Sequence, residues 1–156
     1  MLIKKGYINT EEAEQIYRIL KKHVPWNEGV KTRYGKTSRL QCSLDDCQLK
    51  IRLPLTNIIS KILDRNVVLG IYLNYYRNGN DYCPKHKHTD TKQMIISLGS
   101  TRVMKINNVD YEINSGDVVL FDDEEHSIDR IKEDGESREC MEGRISIAVF
   151  YVDIST

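Results

Sequence analysis

The residues most capable of chemistry are histidines. Of the four in the chain, His86 and His88 sit in the run His86-Lys87-His88-Thr89-Asp90, and His126 lies just beyond the apolar segment DVVLF. His86, His88 and Asp90 are spaced by two, so an extended backbone projects all three side chains to one face. Neighbouring positions on one strand can grip a single metal ion in this way. His126, in a short turn after a strand, is placed where a folded-over chain can bring it to the same mouth. Two histidines and a carboxylate around open coordination positions suit non-haem Fe(II), whose free sites take an oxoacid and dioxygen.

An oxoacid needs an anion partner. Arg144 opens the final strand-like segment, RISIAVFYV, 18 residues after His126. Its guanidinium fork suits a carboxylate in a way that a lysine does not. Ser146 alternates onto the same face as Arg144, and Asn74 and Tyr76 share a face of the segment before the histidine cluster. All four are candidate cosubstrate contacts.

These residues must be held by strands. From residue 67 the chain reads VVLGIYLNYY, then MIISL, RVMKI, VDYEI and DVVLF, rich in β-branched and aromatic residues. Asn107-Asn108 suits a tight hairpin turn. In the last strand Ile145, Ile147, Val149 and Tyr151 fall on one face and Arg144, Ser146, Ala148 and Phe150 on the other. Residues 131–143 read as an exposed charged loop. Upstream, Asn9 or Thr10 can cap a helix carrying Ala13, Ile16, Tyr17 and Leu20 and ending before Pro25-Trp26. A second helix is expected from about Pro54 to Leu63, and residues 27–50 read as loops or short hairpin strands. The expected architecture is α+β, a double-stranded β-helix or jelly roll with two N-terminal helices packed on its sheet. The 156 residues fit one domain, roughly 1–66 helical or irregular and 67–152 the jelly-roll core.

Lys plus Arg and Asp plus Glu are 23 each, so no global field draws the protein to nucleic acid or anionic lipid. Lys31, Arg33, Lys36 and Arg39, with Tyr34 among them, form a local basic run that could contact phosphates and stack on bases. The N-terminal segment has no apolar run of signal-peptide length, and no stretch reaches transmembrane length, so an intracellular protein, cytoplasmic or nuclear, is expected without membrane partners. Cys42, Cys47, Cys83 and Cys140 are expected to be reduced thiols.

The segment NYYRNGNDYCPKHKHTD resembles the N-x-Y-x-(D/N)-G-x-D…H-x-D signature of the AlkB-type Fe(II)/2-oxoglutarate dioxygenases. QMIISLGSTR is similar to the family's SLG-x-x-R strand, SGDVVLFDDEEH to its G-D…H segment, and RISIAVF to its arginine-bearing last strand. The matches run in order over roughly residues 67–152; VPW at 24–26 and SRL at 38–40 add a weaker likeness upstream.

The resemblance implies oxidative decarboxylation of 2-oxoglutarate coupled to hydroxylation or oxidative demethylation of a substrate. A nucleic-acid base is the favoured substrate and a protein or peptide its competitor. It implies that Asn74 and Tyr76 contact 2-oxoglutarate, that Arg144 pairs with the distal carboxylate, and that His126 is a metal ligand. Two departures stand out. Where the repair members carry a second arginine, six residues along the last strand, this chain has Phe150. Counted without gaps from Asn74, the first ligand falls on His86 and the carboxylate slot on His88; Asp90 enters the usual pattern only through a two-residue insertion. The third ligand is therefore His86 or Asp90, with His88 in either set. From a different class, a non-catalytic cupin-like module binding metal or a small molecule would also use an HxH cluster with a distant histidine.

Overall fold

The computed structural model describes residues 1–29, 31–32, 35–131 and 142–154, with only the backbone of Thr32, Gly35 and Lys36. Arg33, Tyr34, Cys140 and most of the expected loop at 131–143 lie outside the described residues.

Helix α1 (Thr10–His23) begins where Asn9 Oδ1 accepts from Glu12 N at 2.8 Å, with Glu11 and Glu12 in the first turn and Lys21 and Lys22 in the last. Helix α2 (Leu49–Ile62) starts five residues before the expected Pro54. Ile51 extends the buried stripe of Leu55 and Ile59 backwards, and that packing carries the proline inside the helix, where it removes one ladder hydrogen bond.

Twelve strands follow in chain order: β1 (Leu2–Lys4), β2 (Lys31–Thr32), β3 (Gly35–Lys36), β4 (Leu40–Ser43), β5 (Asn66–Tyr76), β6 (Cys83–His86), β7 (Lys92–Gly99), β8 (Arg102–Ile106), β9 (Val109–Ile113), β10 (Val118–Phe121), β11 (His126–Ile128) and β12 (Arg144–Asp153). A six-stranded sheet runs β1-β10-β7-β12-β5-β4, a four-stranded sheet β6-β11-β8-β9, and β2 pairs with β3. All recorded pairings are antiparallel. The β8–β9 turn is made by Asn107 and Asn108 at φ 49° and 65°, the left-handed pair that a tight hairpin needs. This is the expected jelly roll with two helices on one sheet.

The alternation of β12 divides the molecule into layers. Ile145, Ile147, Val149 and Tyr151 join Leu73, Met94, Ile96 and the helical Tyr17, Leu20, Ile51 and Leu55 in one apolar cluster. Ala148 on the opposite face joins Tyr76, Ile95, Met104, Ile128 and Phe121 in a second cluster between the sheets. The helices thus cover the outer face of the large sheet, and its inner face is left for the site.

Short β1 is tied in by a buried carboxylate. Asp117 Oδ1 accepts from Gly6 N and Oδ2 from Asn114 N, both at 2.8 Å, and Lys5 Nζ bonds the same group. Gly116 beside it is required: at φ 91° an added Cβ would lie 2.1 Å from the Ile8 carbonyl oxygen. Burial raises the Asp117 pKa, but Lys5 and the two backbone donors outweigh it and hold the carboxyl below its ordinary value. Asp117→Asn is expected to lower stability in urea unfolding by about 1.5–3 kcal/mol at neutral pH. A depressed acid stabilises fully above its unfolded pKa of about 4, and loses that contribution as pH falls through the lower folded value. The difference between variant and parent should therefore shrink only below about pH 4.

Candidate metal and anion site

Between the sheets lies a cavity of about 770 Å³, open at one side. Its first end is built by strand register. β11 pairs with β6 so that His126 stands directly across from His86, and cross-strand partners project to the same face. The chain leaves β6 at His86, so His88 reaches the group from the following turn and not from a continuous strand. One potential ligand atom from each of His86, His88 and His126 lies within 4.8 Å of the others. Asp90 is exposed at the rim and is not in this group.

Backbone carbonyls orient two of the rings. Nδ1 of His86 is 2.7 Å from Pro84 O, and Nδ1 of His126 is 3.1 Å from Glu124 O. A carbonyl can only accept, so Nδ1 carries the proton and Nε2 holds the lone pair in each neutral ring. That is the tautomer in which a metal ligand is usually locked. Burial, then the neighbouring His86, depresses the pKa of His126 to about 4, keeping it neutral at physiological pH. Burial works the same way on His86, but the Cys83 thiol, 3.7 Å from its Nδ1, outweighs it and raises the pKa.

The far end is cationic. Arg144 is 1% exposed; its Nε donates to Ser97 Oγ at 2.9 Å, while Nη1 and Nη2 are buried with no hydrogen-bond partner at normal distance among the described residues, the Tyr76 side chain being their nearest electrostatic support. Its Cζ lies 5.1 Å from the centre of the Tyr76 ring, against which Arg102 and Arg39 also lie at 5.5 and 5.9 Å. A cation over a ring face is attracted, but two buried unpaired amino groups still cost about 1–3 kcal/mol or more. Asn74, Tyr76 and Ser146 line the cavity beside Arg144, as their alternation requires.

Arg39 corrects the reading of the basic run. It is 9% exposed, turned into the cavity and bonded to Asn74 Oδ1 at 3.1 Å, so it is no part of a phosphate-contacting surface. Lys31 is exposed; Arg33, Tyr34 and the side chain of Lys36 are outside the described residues. Arg102 was not foreseen as a structural anchor. Its Nη2 donates to Asp81 O and Asp129 O at 2.9 and 2.7 Å, fastening the segments that lead into β6 and out of β11. Buried Asp81, in turn, holds Arg77 N and Nε. Cys42, Cys47 and Cys83 are free thiols. Burial, then its neighbour Cys47, pushes Cys42 up to about 12, and no cysteine belongs to a potential metal group among the described residues.

No protein-family model matches the chain, and no curated protein matches it by sequence. Solved structures do match by shape. OsALKBH1 superposes at a TM-score of 0.61 with 14% identity, over 95% of each chain. A 2OG-Fe(II) oxygenase family oxidoreductase from Burkholderia pseudomallei gives 0.61 at 12% identity, over 96% of this chain and 84% of that one. A predicted oxalate decarboxylase from Thermotoga maritima gives 0.52 at 16% identity, over 85% and 95%. The shared feature is the jelly-roll fold. No helix among the described residues is long and apolar enough to cross a membrane.

Arg144→Met keeps an extended side chain and removes the unsatisfied charge. The ligand-free variant is expected to be more stable than the parent by about 1–3 kcal/mol in urea unfolding. A loss of similar size would show that the guanidinium is satisfied in the free protein.

Proposed function

We propose that this chain is an Fe(II)- and 2-oxoglutarate-dependent oxygenase of AlkB type that hydroxylates or oxidatively demethylates its substrate. The observation that carries the reading is the pairing, in one cavity, of three convergent imidazoles with a buried guanidinium whose two amino groups lack hydrogen-bond partners among the described residues. The donor set fits the metal: His86, His88 and His126 would hold iron through neutral nitrogens, which suit Fe(II), and leave coordination positions open. Asp90 is then dispensable as a ligand. The orphaned Arg144 donors fit a carboxylate, the distal one of 2-oxoglutarate, with Asn74, Tyr76 and Ser146 as the other polar contacts.

Bound iron would supply activation of dioxygen and coupled oxidation of the 2-oxoacid to succinate and carbon dioxide. The chain's own residues bind and orient. Arg144 anchors the acid deep between the sheets, the carbonyls of Pro84 and Glu124 fix the rings, and Ile95, Met104 and Ile128 give the cavity part of its apolar wall. A nucleic-acid base is the favoured substrate through the AlkB resemblance, with a protein or peptide the competitor; the inward turn of Arg39 leaves the basic run a weaker argument for nucleic acid. The all-imidazole donor set also suits the second reading, a cupin-like binding module, which would hold metal without needing Arg144.

Anaerobic titration of the iron-loaded protein with 2-oxoglutarate separates the two. The oxygenase shows a metal-to-ligand charge-transfer band and makes succinate when oxygen is admitted; the module does neither. His86→Ala and His126→Ala are expected to weaken Fe(II) binding by at least about a hundredfold, as loss of a ligand from a three-donor site does. Asp90→Ala should leave that affinity within about twofold. The opposite ranking of His86 and Asp90 would restore the two-histidine, one-carboxylate set, and succinate formation surviving His126→Ala would defeat the proposal.

A further inference from the structure

Strand β12 carries one arginine into the cavity, Arg144, and places Phe150 six residues on, packed against His88 with ring centres 5.0 Å apart. The cavity nevertheless has a second guanidinium. Arg39 lies immediately before β4, the edge strand of the large sheet, and lines the same cavity. It is within electrostatic reach of both His86 and Arg144.

Its hydrogen bonds are informative. Arg39 Nε and Gln41 Nε2 both donate to Asn74 Oδ1, at 3.1 and 2.7 Å. Two donors converging on one atom fix that atom as the amide oxygen. With Oδ1 occupied in this way, the group Asn74 has left to offer a ligand in the cavity is its Nδ2 donor. Arg39 Nη1 reaches Tyr82 O at 3.4 Å, a long contact. The cavity wall thus offers an anion two guanidinium groups and an amide donor.

We propose that Arg39 is the second cationic contact for the carboxylate cosubstrate, supplied by the N-terminal segment in place of an arginine at position 150, and that with Gln41 it sets Asn74 as a donor to the same ligand. This deepens the oxygenase reading and rests on it. Buried Arg39 and Arg144, and a divalent metal held by neutral ligands, are all positive and favour an anionic ligand, and 2-oxoglutarate carries two negative charges.

The test is anaerobic 2-oxoglutarate titration of iron-loaded parent, Arg39→Met and Arg39→Lys proteins, read by the charge-transfer band, with Fe(II) affinity measured separately without cosubstrate. Arg39→Met is expected to bind 2-oxoglutarate about 10- to 100-fold more weakly, the loss of a charge-assisted hydrogen bond. Arg39→Lys, which keeps the charge but loses the fork, should fall between, at least about threefold weaker than the parent. Fe(II) affinity should change by less than about threefold in both. Should Arg39→Met not fold, Arg39→Lys alone decides. Unchanged 2-oxoglutarate affinity, or a parallel loss of iron and cosubstrate affinity, overturns the role of Arg39 while leaving the oxygenase reading intact. Absence of the band in the parent overturns both.

Discussion

The architecture turns on one constraint: a guanidinium, Arg144, has to be kept charged between two sheets with no carboxylate paired to it among the described residues. Withdrawing an ion from water costs several kcal/mol even after the protein relaxes. Ser97 and the face of Tyr76 recover part of that. The remainder is offset on the other side of the same strand, where Ile145, Ile147 and Val149 are fully covered by the helical layer. At about 1.5–3 kcal/mol for each buried aliphatic side chain, those three outweigh the uncompensated charge. Helices α1 and α2 therefore do more than cap a sheet. They supply the apolar burial that lets its inner face be polar. Asp81, a buried acid, is committed to Arg77 and to loop geometry.

Features that depend on local periodicity were legible in the sequence. The period-two alternation of β12 separates helix-facing from cavity-facing residues without any tertiary information, and it placed Arg144 and Ser146 correctly on the inner face. The same holds for Asn74 and Tyr76, and for the Asn107-Asn108 turn. Features that depend on register between distant segments were not. His86 lies opposite His126 because β6 and β11 pair, and neither of those short strands has enough residues to announce itself. The notion that His86, His88 and Asp90 share a face assumed an extended chain throughout, whereas β6 stops at His86 and Asp90 swings out to the rim.

Arg39 shows a second kind of illegibility. In a polar stretch flanked by lysines, an arginine reads as surface, since long charged side chains are seldom fully buried. What buries it is the pairing of β4 with β5, in which Gln41 stands opposite Asn74. That pairing turns the residue before the strand toward the Tyr76 ring and brings its Nε to the Asn74 amide. Proline inside α2 is the converse case, a local signal for helix initiation overridden by the packing of Ile51. In both, a tertiary contact decides against the propensity of the residue.

Electrostatics ties the two ends of the cavity together. A carboxylate among the ligands would cut the charge of a bound divalent metal to one; three imidazoles leave it at two. In the proposed metal-loaded state, with Arg144 and Arg39 lining the same cavity, that excess positive charge would favour an anionic ligand, and a doubly charged one more than a singly charged one. Under the proposed function, a preference for a dicarboxylate would follow from the free protein itself, because a carboxylate at the deep end would return the stability forgone at Arg144.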